Sequence, residues 1–373
     1  MTSHTPGTSP DAIRYRAVII GCGRMAHGHA RAYLDDSRVD LVACADIFEE
    51  AASGFANEFG IPATYTRYQE MLENVKPDVV SICTHHQLHA PMTIDTANIA
   101  APKAILCEKP IALDLGSADE MIAACDRHGT LLVVGHQRHF DRQSNAVRKA
   151  LGEGSIGDIV FVEAFGHPRS SLLVDSTHTV DLVRSFLGYP KGEWVVGQFD
   201  AREHRSAWGQ QIEDCALAWI GFQGGTRLLL GAGSIMGDTP NERISISPQT
   251  VEGGTYHRIV FHGSKGRLVL HGDRPIEDGP LVTLHCGVET EVFYTAEEFH
   301  SDPTYSSVSK EASAMIDCLE QPGLAHPLEA RNGRDTLEIL MGIYESSRRR
   351  QAVRLPLDLG DNPLISMLAE GVV

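Results

Sequence analysis

The strongest constraint on this chain is a rhythm confined to its first 140 residues. Short apolar runs at 17–20, 39–45, 79–83, 104–107 and 131–134 alternate with amphipathic stretches, of which 48–59, 91–100 and 118–128 read as helices. The first run passes through a glycine-rich turn into a further helical stretch reaching about Leu34. Strands separated by whole helices cannot pair as hairpins, so the pattern demands a parallel sheet with crossover helices. After Phe140 the rhythm changes: helical stretches at 141–151 and 178–187 flank a strand at 159–164. Strand-like runs follow at 194–199, 215–222, 226–230, 243–247, 256–261, 267–270, 281–285 and 291–294, and helices at 305–319 and 332–350 close the chain. Gly and Pro punctuate these runs at hairpin spacing, which predicts a large, mostly antiparallel open sheet. The expected organisation is a tail at 1–13, an α/β domain at 14–139 and an α+β domain at 140–373.

The 373 residues carry 32 Lys and Arg against 49 Asp and Glu, a formal charge of −17. Such a surface repels nucleic acid and anionic membranes as a whole. No run approaches the roughly 18 uninterrupted apolar residues of a membrane span. Residues 1–11 are rich in Thr, Ser, Pro and Gly and have neither a basic start nor an apolar stretch, so they do not read as a signal peptide. The eight cysteines form no C-x-x-C pair and lack the density of a disulfide framework, which fits buried core thiols. The expectation is a cytoplasmic protein.

The first apolar run ends in Gly21-Cys22-Gly23-Arg24-Met25-Ala26, the pattern G-x-G-x-x-A. Gly21 permits a tight turn, Gly23 lets a pyrophosphate approach the backbone, and Ala26 lets helix and strand pack closely. The helix N-terminus then offers N–H groups to an anion. Gly-x-Gly after a strand is often only a turn, but Asp46 closes the second run where a carboxylate would accept hydrogen bonds from an adenosine ribose. Asp46 can also cap the next helix, and the two roles are compatible. Ile47 and Phe48 follow it rather than a cation, so a 2′-phosphate would be repelled and NAD is favoured over NADP.

Leu106-Cys107-Glu108-Lys109-Pro110 ends a buried strand in two opposite charges and a proline. Charges at the carboxyl end of such a strand stand at the crevice where open α/β sheets bind ligands. With this segment the chain resembles the Gfo/Idh/MocA family, the group of glucose-fructose oxidoreductase and inositol dehydrogenase. The resemblance spans roughly Arg14 to Leu357. It rests on the glycine turn, Cys83-Thr84-His85-His86-Gln87-Leu88-His89, Glu108-Lys109-Pro110, Gly135-His136-Gln137-Arg138-His139-Phe140, His178-Thr179-Val180-Asp181-Leu182, and the late Tyr344-Glu345 and Leu355-Pro356-Leu357 segments. It implies a Rossmann domain followed by a domain with a large open sheet. It further implies that Gly21, Cys22, Gly23, Arg24, Met25, Asp46 and Ile47 hold the dinucleotide, with Thr84, His85 and His86 covering it and His89 supporting that loop. Glu108 would face the nicotinamide ribose and Gln137 the nicotinamide end. His85 and His86 replace the Pro and Asn usual at this loop, which leaves side-chain contacts there open.

In the second domain the resemblance makes His178 a general base, with a pKa expected near working pH. Asp175 stands three residues before it, placed either to orient the imidazole or to cap a helix. Lys109 would hydrogen-bond the reacting oxygen and stabilise developing negative charge. Arg138, His167 and Arg169 are candidates, with Lys109, Asp175 and His178, to line a substrate pocket. Trp208 could stack on a sugar or close a subunit contact. Cys83, His85, His86 and His89 could hold zinc, but they occupy the cofactor loop of a reaction that needs no metal, and none is expected. The implied activity is NAD-dependent oxidation of a hydroxyl on a sugar, glycoside or cyclitol by a homodimer or homotetramer. A redox-assisted glycoside-cleaving enzyme, a keto-sugar reductase and a non-catalytic dinucleotide sensor are the alternatives.

Overall fold

The computed structural model describes residues 14–166, 170–233, 257–275 and 278–372. Its first sheet contains β1 (Tyr15–Ile20), β2 (Val39–Ala45), β3 (Ala63–Tyr65), β4 (Val79–Ile82), β5 (Ala104–Glu108) and β6 (Leu131–Gly135). Their order is β3-β2-β1-β4-β5-β6, and every pairing is parallel. Helices α1 (Arg24–Asp35), α2 (Glu49–Phe59), α3 (Tyr68–Val75), α4 (His89–Ala100) and α5 (Leu115–His128) make the crossovers. Strands buried on both faces need largely apolar runs, and residues 17–20 of β1, 79–80 of β4 and 104–107 of β5 supply them. Strand order reverses between β1 and β4, so a crevice opens beyond their carboxyl ends, the usual ligand position in such sheets.

The second domain holds α6 (Arg142–Gly152), β7 (Ile159–Gly166), a π-helical turn (Leu172–Ser176), α7 (Thr177–Phe186) and β8 (Gly192–Asp200). A small hairpin follows, β9 (Ser206–Ala207) and β10 (Gln210–Gln211), then β11 (Cys215–Phe222), β12 (Arg227–Gly233), β13 (His257–Gly263), β14 (Arg267–Leu270), β15 (Val282–Cys286) and β16 (Glu289–Tyr294). Helices α8 (Ala296–His300), α9 (Ser307–Glu320) and α10 (Ala330–Arg349), strand β17 (Val353–Arg354) and α11 (Pro363–Glu370) complete it. The nine described strands of the large sheet run β16-β15-β14-β13-β7-β12-β11-β8-β17, antiparallel except for the β7–β12 pair. Helix α10 covers one face so closely that a Cβ at Gly197 would meet Ile343 Cγ2 at 2.8 Å. The other face carries Val196, Leu217 and Trp219, each about 40% exposed. The strand expected at 243–247 lies outside the described residues.

One boundary needs correction. The chain does not leave the first domain for good at Phe140. Ala312, Met315 and Ile316 of α9 share a core with Ala26, Ala30 and Tyr33 of α1. Arg38 reaches Asp317 at 2.6 Å and Glu320 at 2.9 Å, and Val134 N–H donates to the Leu328 carbonyl at 3.0 Å. The physical reason is coverage: α9 shields an apolar stripe of α1, and residues 328–329 pair with β6, the outermost strand of that sheet.

Candidate active site

The glycine turn behaves as its residue types require. Gly21 has φ +88, and a Cβ there would stand 2.8 Å from both the Cys83 carbonyl oxygen and Thr84 Cγ2. A Cβ at Gly23 would meet nothing within 4 Å, so the space above the turn is open. Gly23 is the N-cap of α1 and lends no side chain to its N–H groups, which leaves them for an anion. Asp46 fixes the turn: its Oδ2 accepts from Cys22 N–H at 2.9 Å, and its Oδ1 accepts from Phe48 N–H at 3.0 Å. Cys22 therefore departs from its expected role, because its N–H is engaged by Asp46 and its side chain is buried. Gly21, Gly23, Asp46, Ile47, Thr84 and His85 line a cleft of about 220 Å³ with no Lys or Arg among its walls. Arg24 is exposed and Met25 half-buried beside it.

The loop after β4 crosses this cleft. His89 is buried between the carbonyls of Pro110 at 2.7 Å and Thr84 at 3.2 Å, tying the loop to the Glu-Lys-Pro segment. His86 is buried against Gln210 of β10, Nδ1 to Nε2 at 2.9 Å, and burial lowers its pKa to about 3. His85 is exposed. Burial pushes the Cys83 thiol well up, away from the thiolate a metal needs. Among the described residues no three His, Cys, Asp or Glu side chains converge as metal ligands. Two buried polar atoms lack a protein partner, Thr84 Oγ1 in the cleft wall and Gln137 Oε1 just after β6, and a polar ligand reaching each would satisfy it. The glycine cradle, the carboxylate at the end of β2 and these two atoms fit a dinucleotide.

Lys109 leaves the end of β5 and donates from Nζ to the Val174 carbonyl at 2.7 Å, which ties the π turn of the second domain to the first. Burial lowers its pKa, with Glu108 and Asp175 opposing. Asp175 accepts from Ser171 N–H at 3.0 Å while Ser171 Oγ accepts from Val174 N–H at 3.3 Å, so it caps the π turn reciprocally. Its charge also reaches Lys109. His178, in the first turn of α7, is buried. Its pKa is not near working pH as expected: burial, then Lys109 and His136, drive it well below 6.5 and leave it neutral. Behind it stands His136, ring centroids 5.6 Å apart, which bonds Thr177 Oγ1 at 2.9 Å and approaches Asp181 at 3.7 Å. Burial raises Asp181 to about 7.

Sequence reasoning missed what holds Glu108. Its Oε1 meets His29 Nε2 of α1 at 3.0 Å; His29 Nδ1 meets Ser81 Oγ at 3.0 Å, and Tyr33 hydroxyl meets the same Ser81 Oγ at 2.6 Å. This buried network lies under the cleft. Burial alone would raise Glu108, yet the His29 hydrogen bond and the neighbouring positive charges bring it below 4.5. The spacing of His29, Ala26 and Tyr33 on one helical face was the available signal. Arg138 already binds Asp273 at 2.9 Å and Asp141 at 3.4 Å, so its charge is balanced within the protein. His167 and Arg169 lie outside the described residues.

A sequence model described as an oxidoreductase family with an NAD-binding Rossmann fold matches residues 15–136. D-apiose dehydrogenase of Paraburkholderia graminis is 33% identical over 390 residues, covering 98% of this chain and 96% of that protein. Inositol 2-dehydrogenase of Rhizobium meliloti is 29% identical over 270 residues, covering 69% and 76% respectively. Among solved structures, a levoglucosan dehydrogenase in complex with NADH and levoglucosan has a TM-score of 0.75 at 18% identity. The match covers 92% of this chain and 100% of that one, a likeness of fold.

Proposed function

The chain belongs to the Gfo/Idh/MocA family of NAD-binding oxidoreductases, and from that premise we propose that it oxidises one hydroxyl of a sugar, glycoside or cyclitol to a ketone. The reading is carried by one observation: Lys109, held across the domain boundary by Val174, shares its surroundings with Asp175 and a neutral His178 beside the glycine cleft. When bound, the nicotinamide supplies the electrophilic carbon that accepts the carbinol hydrogen with its electron pair. Lys109 orients the substrate oxygen and stabilises the charge left there as the O–H proton departs. His178 takes that proton at an imidazole nitrogen. Its depressed pKa makes it a weak base, so the transfer leans on the Lys109 ammonium to acidify the hydroxyl. Glu108, and after it Asp175, oppose the burial that favours the neutral form of Lys109. Asp46, in a cleft with no Lys or Arg among its walls, supports NAD over NADP.

No described helix is long and apolar enough to cross a membrane, and none of the eight thiols is in a disulfide, which supports a reducing, cytoplasmic setting. The open sheet face with Leu217 and Trp219 supports a homodimer, or a tetramer built from it. The test is a panel of sugars, glycosides and cyclitols offered with NAD and with NADP, following reduced cofactor and product together. Net NADH with a ketone supports the proposal; glycoside cleavage without net NADH, or tight dinucleotide binding without turnover across the panel, rejects it.

A further inference from the structure

The β9–β10 hairpin belongs to the second domain by sequence yet makes its contacts on the first. Its two-residue loop, Trp208-Gly209, joins Ala207 paired with Gln210 and has φ +53 and +80. A two-residue hairpin with both central φ values positive favours Asn-Gly or Gly-Gly, because a bulky side chain at the first position is strained by about 1 to 2 kcal/mol. Tryptophan is an unfavourable choice there on backbone grounds, and strain of this kind persists where the side chain has a task. The ring is 49% exposed and stands with its centroid 5.8 Å from the Arg24 guanidinium carbon, immediately after Gly23 of the cofactor turn. The same hairpin sends Gln210 into the buried bond with His86, and a Cβ on Gly209 would lie 2.6 Å from Gln87 Nε2. Three consecutive residues thus touch both segments that border the cleft.

We propose that this hairpin is part of the dinucleotide site: Trp208 and Gln210 clamp the cofactor by holding the Gly21–Arg24 turn and the His86 loop in one arrangement. The proposal rests on NAD binding, so the parent protein is titrated with NADH first; failure of the parent to bind would reject that reading and not reach the clamp. Trp208→Asn is the informative variant, since Asn suits a positive φ and keeps the turn while removing the ring. Gln210→Leu removes the His86 bond at similar volume. Both variants are purified, checked for unchanged melting without ligand, and measured for NADH affinity by nicotinamide fluorescence and for NADH release by stopped flow. The clamp predicts affinity weakened about five- to tenfold in each, mostly through faster release. It also predicts weaker tryptophan-to-NADH energy transfer in Trp208→Asn than in the parent, because Trp208 stands beside Arg24 of the turn that would hold the cofactor. Affinity and release unchanged in Trp208→Asn, or a change in oligomeric state alone, would overturn it.

Discussion

Replacing His29 by Ala tests the buried network that holds Glu108 next to Lys109. The change removes the 3.0 Å partner of Glu108 Oε1 in a site where both side chains are almost fully buried. Glu108 keeps a weak 3.3 Å bond from Lys109 N–H, and Ser81 keeps Tyr33, so the main loss is one buried carboxylate oxygen without a partner. Breaking such a pair costs about 3 kcal/mol, the lower end of the range for a buried charge stripped of its partner. For a chain of 373 residues unfolding as one unit that is a melting decrease of about 4 °C. The pH dependence has a definite sign. The Glu108 pKa is depressed in the fold, so its stabilisation is complete above its ordinary value of 4.5 and is lost as pH falls through the folded value. The deficit of His29→Ala therefore narrows in acid. Thermal melting of His29→Ala, Glu108→Gln and the double variant between pH 4 and 8 measures the coupling. Additivity of the two single effects within about 0.5 kcal/mol would refute the reasoning.

Other expectations follow from single sites. Gly21→Ala places a methyl in contact with the Cys83 carbonyl at a left-handed φ, and calorimetry should show NAD affinity lowered at least about tenfold in a folded protein. Asp46→Ala removes the acceptor of the Cys22 N–H and of the proposed ribose contact, so NAD affinity should fall about tenfold and the preference over NADP should shrink, read from kcat/KM with each cofactor. Because His178 is held neutral, the pH profile of kcat/KM should lack an acid-side inflection near 6.5; an inflection there that disappears in His178→Gln would contradict its placement. If the proposed dimer forms through the open sheet face, Trp219→Glu should convert it to a smaller species in sedimentation velocity.

The sequence carried the architecture wherever an element must hide itself. β1, β4 and β5 are mostly apolar because both faces are covered, with Arg16, Ser81 and Glu108 as their polar members, and Gly60 and Gly129 end their helices in left-handed caps. Short elements were missed for the converse reason. Ala63–Tyr65 is a three-residue edge strand with no buried residue, and Tyr68–Val75 spans barely two turns. α9 was found as a helix, but nothing local to Ser307–Glu320 states that its apolar stripe belongs on α1. The site divides in the same way. Gly21, Asp46, Glu108 and Lys109 announce themselves because backbone geometry or strand position restricts what can stand there. His29, Ser81 and Gln210 act through partners 79, 52 and 124 residues away: helical spacing puts His29 on the inward face of α1, but no spacing rule names a partner so far off.

The most direct test of the central claim uses the substrate found in the panel, deuterated at the carbon that bears the reacting hydroxyl, with NAD and the parent protein, beside Lys109→Met. The account predicts that the deuterium appears in the reduced nicotinamide, that the product is the ketone, and that Lys109→Met loses about a hundredfold or more in kcat while retaining NAD affinity. Deuterium recovered in solvent or product instead, or Lys109→Met turning over at the parent rate, would contradict it.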